Sequence, residues 1–214
     1  MPNGAHSPDG HAGGPAYAVR TGRLSGRLAV LCAIAGFVLR AVSGFLYFAA
    51  AGFSVEAASD PGALLAVGGN SADVFRWASV VDLFGYLLVA PLVAYLYQRF
   101  REDPRIVLYT AAGFAYILIG AMGAVLFLTA GPPLLRDYAS ASGVQRASIA
   151  TTFTTLYQVV IVGFWQTLEG IPGGVWLLGI GVNLYRAKRR LLSLVPFAVG
   201  GVFLVLAAGR MLGY

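Results

Sequence analysis

Arg40 and Asp82 are ionisable residues set inside long apolar runs, and Glu169 stands at the end of another. In hydrocarbon such groups are costly. An arginine at mid-span costs ~2.5–3.5 kcal/mol on insertion scales, so it turns toward protein and seeks a partner. Arg40 lies near the middle of the first run and Asp82 about two turns into the second. In antiparallel neighbours these positions fall within about two helical turns in depth, a gap that a long arginine stem can cover. The spacing therefore allows an Arg40–Asp82 ion pair. Tyr86 follows Asp82 by four residues and shares its helix face. The group can be a structural pair that fixes helix register, or a substrate or proton site. The third option is an Arg40 that snorkels without a partner.

A polar stripe offers more. Thr151, Thr154, Thr155, Gln158, Val162, Trp165 and Glu169 fall on one side of a helix with ~3.6 residues per turn. In lipid such a stripe turns to other helices or to water. It reads as interhelical hydrogen bonding or as the lining of a polar cavity. Gln158 and Glu169 thereby join Arg40, Asp82 and Tyr86 as the candidate intramembrane polar site. Glu169 stands beside Gly170-Ile171-Pro172-Gly173-Gly174, where a helix break would free backbone groups, and is expected as an interfacial carboxylate. Asn183 is a weaker case of the same kind.

The exclusions are sharper. No histidine occurs in any apolar run, so paired-histidine haem ligation and a Ser–His protease dyad are both out. There is no H-E-x-x-H zinc motif and no Walker loop. The only lysine, Lys188, lies outside the runs, so no buried Schiff base is available. Cys32 is the single cysteine, which forbids an intrachain disulfide. Neither a cofactor, a metal nor an enzymatic activity is expected. The net charge of +6 reflects arginines that face anionic lipid headgroups. Nucleic-acid binding would need a folded basic surface, for which no residues are left.

The elements that must hold these residues are membrane helices. Apolar runs cover residues 28–53, 75–97, 106–130, 149–168, 171–185 and 191–208. A bilayer core is ~30 Å thick and takes ~20 apolar residues as a helix. Hydrophobic residues make up 58% of the chain and charged ones 11%, far below the ~25% of soluble domains. The expected fold is all-α: a polytopic membrane bundle of six transmembrane helices over 23–214, behind a disordered tail over 1–22 that holds His6 and His11. The break at 170–174 divides 149–185 into two spans, and Gly131-Pro132-Pro133 ends the third. For six spans the lysines and arginines balance across the membrane and give no orientation. If 149–185 crosses only once in net, the balance becomes roughly ten against four. Gly36, Arg40 and Gly44 share a ridge, as do Gly113, Gly120 and Ala124; such faces pack helices within the subunit or join a homodimer.

The stretch Phe75-Arg76-Trp77-Ala78-Ser79-Val80-Val81-Asp82-Leu83-Phe84-Gly85-Tyr86, leading to Leu92-Val93-Ala94-Tyr95-Leu96-Tyr97, resembles a bacterial family of six-span proteins, the domain of unknown function 4386 family. So does Gly174-Val175-Trp176-Leu177-Leu178-Gly179-Ile180-Gly181 before the basic turn at Arg186. The resemblance covers roughly 22–214. It implies a multi-pass protein of the cell membrane, the bacterial inner membrane, and supplies no catalytic residues. The expected partner is the lipid bilayer. The expected function is that of a transporter-like or binding protein for an ion or small molecule, with the ligand unnamed. The alternative is a structural or regulatory membrane protein whose intramembrane polar residues serve packing.

Overall fold

The structure, a computed structural model, describes residues 15–213. His6, His11 and most of the expected tail lie outside the described residues, and the first described helix begins at Pro15.

Helix α1 (Pro15–Ala50) shows how this sequence builds a membrane helix. Gly36, Arg40, Ser43 and Tyr47 recur at spacings of three and four and so share a face. That face packs on α4 (Ala72–Leu87). Ser43 Oγ donates to Ala78 O at 2.9 Å, and Tyr47 OH donates to Ser79 Oγ at 2.9 Å. Phe37 and Phe45, 75% and 61% exposed, point the other way. Lipid solvates the apolar side and leaves the polar groups to pair inside, the reverse of a helix in water.

Between α1 and α4 come α2 (Val55–Ser59), α3 (Pro61–Gly68) and a 3-10 turn (Gly69–Ser71). Ser54 and Asp60 cap the two short helices, accepting from the N–H of Ala57 and of Ala63. Helix α5 (Ala90–Arg99) continues α4, and a polar turn leads to α6 (Ile106–Ser140). Then α7 (Gly143–Tyr157), a π-helical segment (Gln158–Leu168) and α8 (Gly170–Arg186) follow in one rod, and α9 (Arg190–Met211) closes the bundle.

The expected all-α membrane bundle is present, with no strand among the described residues. Five helices are long and apolar enough to cross a membrane: Gly26–Ala50, Pro61–Arg99, Ile106–Ser140, Gly143–Arg186 and Arg190–Met211. The division of the chain differs from the expected one at two places. Residues 149–185 lie in one helix, because the 170–174 stretch does not break it: Gly173 N–H donates to Glu169 O at 3.0 Å. The glycines there serve close packing. A side chain on Gly170 would meet Ala207, and one on Gly174 would meet Leu204 and the Gly200 carbonyl. Pro172 is the third residue of α8, directly after the π segment, and the rod runs on through it. Likewise α6 passes through Pro132 and Pro133 and ends at Ser140. Gly131 seats the Phe75 ring and Leu135 covers Gly68, so tertiary packing holds the helix past its prolines.

Three rods overshoot the bilayer. Those of 39, 35 and 44 residues run about 58, 52 and 66 Å at ~1.5 Å per residue, against a core of ~30 Å. At one end the turns after α5 and α8 are joined by Arg186 Nη1 and Asp103 Oδ2 at 2.8 Å. At the other end α2, α3, α7 and the last turns of α6 form a cap. There Tyr157 OH donates to Ala58 O at 3.0 Å, and Arg136 pairs with Asp73. Beneath the cap the rings of Tyr47, Phe75, Phe127 and Trp165 pack at 5.1–6.1 Å.

Candidate functional site: a charged centre within the bundle

Four elements bring ionisable and phenolic groups to one depth of the bundle. Helix α1 presents Arg40, ten residues before its end. Helix α4 presents Asp82 and Tyr86, α6 presents Tyr116, and the junction of the π segment with α8 presents Glu169.

The closest approaches involve the phenols. Tyr86 OH donates to Glu169 Oε2 at 2.5 Å, and Arg40 Nη1 donates to the Tyr116 hydroxyl at 2.7 Å. The guanidinium carbon lies 3.8 Å from the centroid of the Tyr86 ring, a cation–π contact. The ionic contacts are looser: Arg40 Nη1 to Glu169 Oε1 is 3.4 Å, and Arg40 Nε to Asp82 Oδ1 is 3.9 Å. Tight charge-assisted pairs close to about 2.7–2.9 Å. The carboxylates are buried, at 8% and 5% side-chain exposure, while 32% of the Arg40 side chain is uncovered.

Glycines make room for these groups. Gly36 and Gly85 bring the α1 and α4 backbones together: a Cβ on Gly36 would lie 2.8 Å from Gly85 O. A Cβ on Gly85 would meet Arg40 Cγ at 2.6 Å, and one on Gly120 would overlap the Tyr86 ring. Tyr116 stacks on Trp176, with ring centroids 5.9 Å apart, and Gly113 accommodates that indole.

Of the expected site residues, Arg40, Asp82, Tyr86 and Glu169 converge. Gln158 does not. It is exposed, as are Thr151, Thr154 and Thr155, while Tyr157 and Val160 face inward. The stripe drawn on a regular helix is cut by the π segment, whose i→i+5 winding shows in the 2.7 Å bond from Glu169 N–H to Phe164 O. The same shift makes Glu169 a buried group rather than an interfacial one. Asn183 bonds within its own helix, its Nδ2 donating to Gly179 O at 3.0 Å. Sequence reasoning missed Tyr116. Its signal was its place between Gly113 and Gly120 on one ridge of α6, at spacings of three and four. No group of three or more His, Cys, Asp or Glu among the described residues could hold a metal ion.

A bundle of membrane-crossing helices with an arginine, two carboxylates and two tyrosines at its centre defines a polytopic membrane protein with a buried polar core. Residues 28–213 match the family described as Domain of unknown function (DUF4386). The chain belongs to that family. Neither the curated proteins nor the solved structures gave a match.

Proposed function

We propose that the chain is a transporter-like or binding membrane protein for a small cationic species. Its binding centre is formed by Arg40, Asp82, Glu169, Tyr86 and Tyr116. The observation that supports this reading is the imbalance at the centre: one guanidinium faces two buried carboxylates at 3.4 and 3.9 Å. In a low-dielectric interior an uncompensated charge is expensive, so the centre favours one further positive charge. A closed bidentate pair would have favoured a purely structural device. Here the guanidinium leans on a tyrosine ring and keeps a third of its side chain uncovered.

The shared end of α5 and α8 supports one orientation. With those turns beside the basic N-terminal collar, ten lysines and arginines lie on one side (Arg20, Arg23, Arg27, Arg99, Arg101, Arg105, Arg186, Lys188, Arg189 and Arg190). Arg76, Arg136, Arg146 and Arg210 lie on the other. By the positive-inside rule this balance supports a cytoplasmic amino terminus with the cap outside, in a membrane proposed to be of the bacterial inner-membrane kind.

The test is a thermal-shift series on the purified chain in detergent with Na⁺, K⁺, Li⁺ and methylammonium, joined to flux of the same ions into proteoliposomes. Stabilisation by at least one ion, lost in Asp82→Asn and Glu169→Gln, is expected. No response to any of the four ions, with both variants as stable as the parent or more so, would return the cluster to a packing role.

A further inference from the structure

On the flank of the bundle between the π segment and the last turns of α9 lies a cavity of about 230 Å³. It is lined by Trp165, Gln166, Gly170, Phe203, Leu206 and Arg210. Nothing in the charged centre draws on it. Three features of its wall specify a ligand. Gln166 Oε1 is buried and has no hydrogen-bond partner, the one such side-chain atom among the described residues. A buried acceptor without a donor carries its full desolvation penalty, and native structures leave few of them. Arg210 is exposed in the last turn of α9 and takes part in none of the four ion pairs among the described residues. The rest of the wall is apolar, formed by the rings of Phe203 and Trp165 and by Leu206.

Together these call for a hydrocarbon chain, an anion and a hydrogen-bond donor in one molecule. We propose that this cavity binds an anionic phospholipid with a hydroxyl-bearing headgroup. A segment of one acyl chain lies along Phe203 and Leu206, the phosphate sits on Arg210, and the Gln166 amide turns its Oε1 into the cavity to accept from a headgroup hydroxyl. Arg210 ends the last crossing helix, which sets it at headgroup depth. A zwitterionic choline lipid brings its own cation to the phosphate and no hydroxyl. A fatty acid carboxylate brings the charge but no donor. The cavity holds part of one chain, not a whole lipid, so the rest of the molecule stays in the bilayer.

The test uses the full chain, delipidated in detergent, and native mass spectrometry with dioleoyl phosphatidylglycerol, dioleoyl phosphatidylcholine or oleate. Phosphatidylglycerol should be retained roughly tenfold more tightly than either of the others. Arg210→Gln and Gln166→Leu should each bring it down to the phosphatidylcholine level, while Arg210→Lys should keep it. Gln166→Leu removes an unpaired polar atom and should leave the chain monodisperse on size exclusion. Equal retention of phosphatidylcholine or oleate would overturn the proposal. So would wild-type retention of phosphatidylglycerol in either Arg210→Gln or Gln166→Leu, the latter meaning that Gln166 is satisfied by water.

Discussion

Replacing Arg40 by methionine keeps a long side chain against the Tyr86 ring and removes the cation that faces Asp82 and Glu169. Breaking a buried pair by deleting one partner costs about 3–5 kcal/mol, mostly from the charge left behind. The contacts here are long, and 32% of the Arg40 side chain is uncovered, which places the cost near the lower end, at about 3 kcal/mol. For a chain of this size each kcal/mol moves Tm by about 2–4 °C, so Arg40→Met should lose roughly 6–12 °C. Adding Glu169→Gln removes one orphaned charge while an amide oxygen still accepts from Tyr86 OH. The double variant should therefore be more stable than the two single effects predict, by about 1–2 kcal/mol of coupling. Reversible unfolding in mixed micelles, read by tryptophan fluorescence across the four-member cycle, measures that coupling. Additivity within about 0.5 kcal/mol would refute the reasoning, and so would an Arg40→Met protein as stable as the parent, since Arg40 would then be snorkelling without partners.

Other tests bear on the packing and the topology. Gly120→Ala drives a methyl group into the Tyr86 ring, which cannot retreat without leaving Glu169, and should cost about 1–3 kcal/mol in the same assay. Gly85→Ala meets the flexible stem of Arg40 at 2.6 Å and the backbone of Gly36 and Arg40 at 3.2 and 3.3 Å, a milder clash than the overlap of a Cβ on Gly120 with the Tyr86 ring, and should cost less than Gly120→Ala. In a Cys32→Ser background, single cysteines at Glu102 and Lys188 should react with an impermeant maleimide from the same side of the membrane, because Asp103 and Arg186 tie their turns together; labelling from opposite sides would restore the six-span division. Deleting Gly163, where an added Cβ would meet only Gln158 O at 3.8 Å, should turn α8 by about 100° relative to α7 and destabilise the chain far more than Gly163→Ala does.

The solvent was legible from the chain, and so was much of the centre. Arg40, Asp82 and Tyr86 could be grouped because a charge in hydrocarbon must find company and because positions four apart share a face. The helix boundaries at 131–133 and 170–174 were not legible, because glycine and proline carry two meanings in a membrane helix. At Gly170, Gly173 and Gly174 the absent side chains let α9 and Tyr116 approach, and nothing local separates that use from a turn. Pro132 and Pro133 mislead in the same way: in water two prolines end a helix, whereas here packing of Leu135 on Gly68 carries α6 onward. Charge was the better guide. The arginine balance that fitted a single crossing of 149–185 agrees with the unbroken helix there and with Arg186 meeting Asp103.

The π segment explains why Gln158 and Glu169 part company. On a regular helix they lie eleven residues apart and about 20° from eclipsed, so they share a face. The buried seam of the fourth rod runs through Phe153, Tyr157 and Val160 at spacings of four and three. A regular helix would carry it on to Phe164 and Leu168. Instead the inward side chains step from Tyr157 through Ile161 and Trp165 to Glu169 at four-residue spacings, and Trp165 Nε1 donates to Gly120 O at 3.1 Å. One extra residue in the winding thus rotates the lower half of the rod. Gln158 and its threonines stay on the outer face of the cap, while the carboxylate swings onto Tyr86 and Arg40. The i→i+5 bonds have poorer geometry and are rarely sustained for long. Their cost is offset by seating Trp165 and Glu169, which makes the segment part of the charged centre's construction.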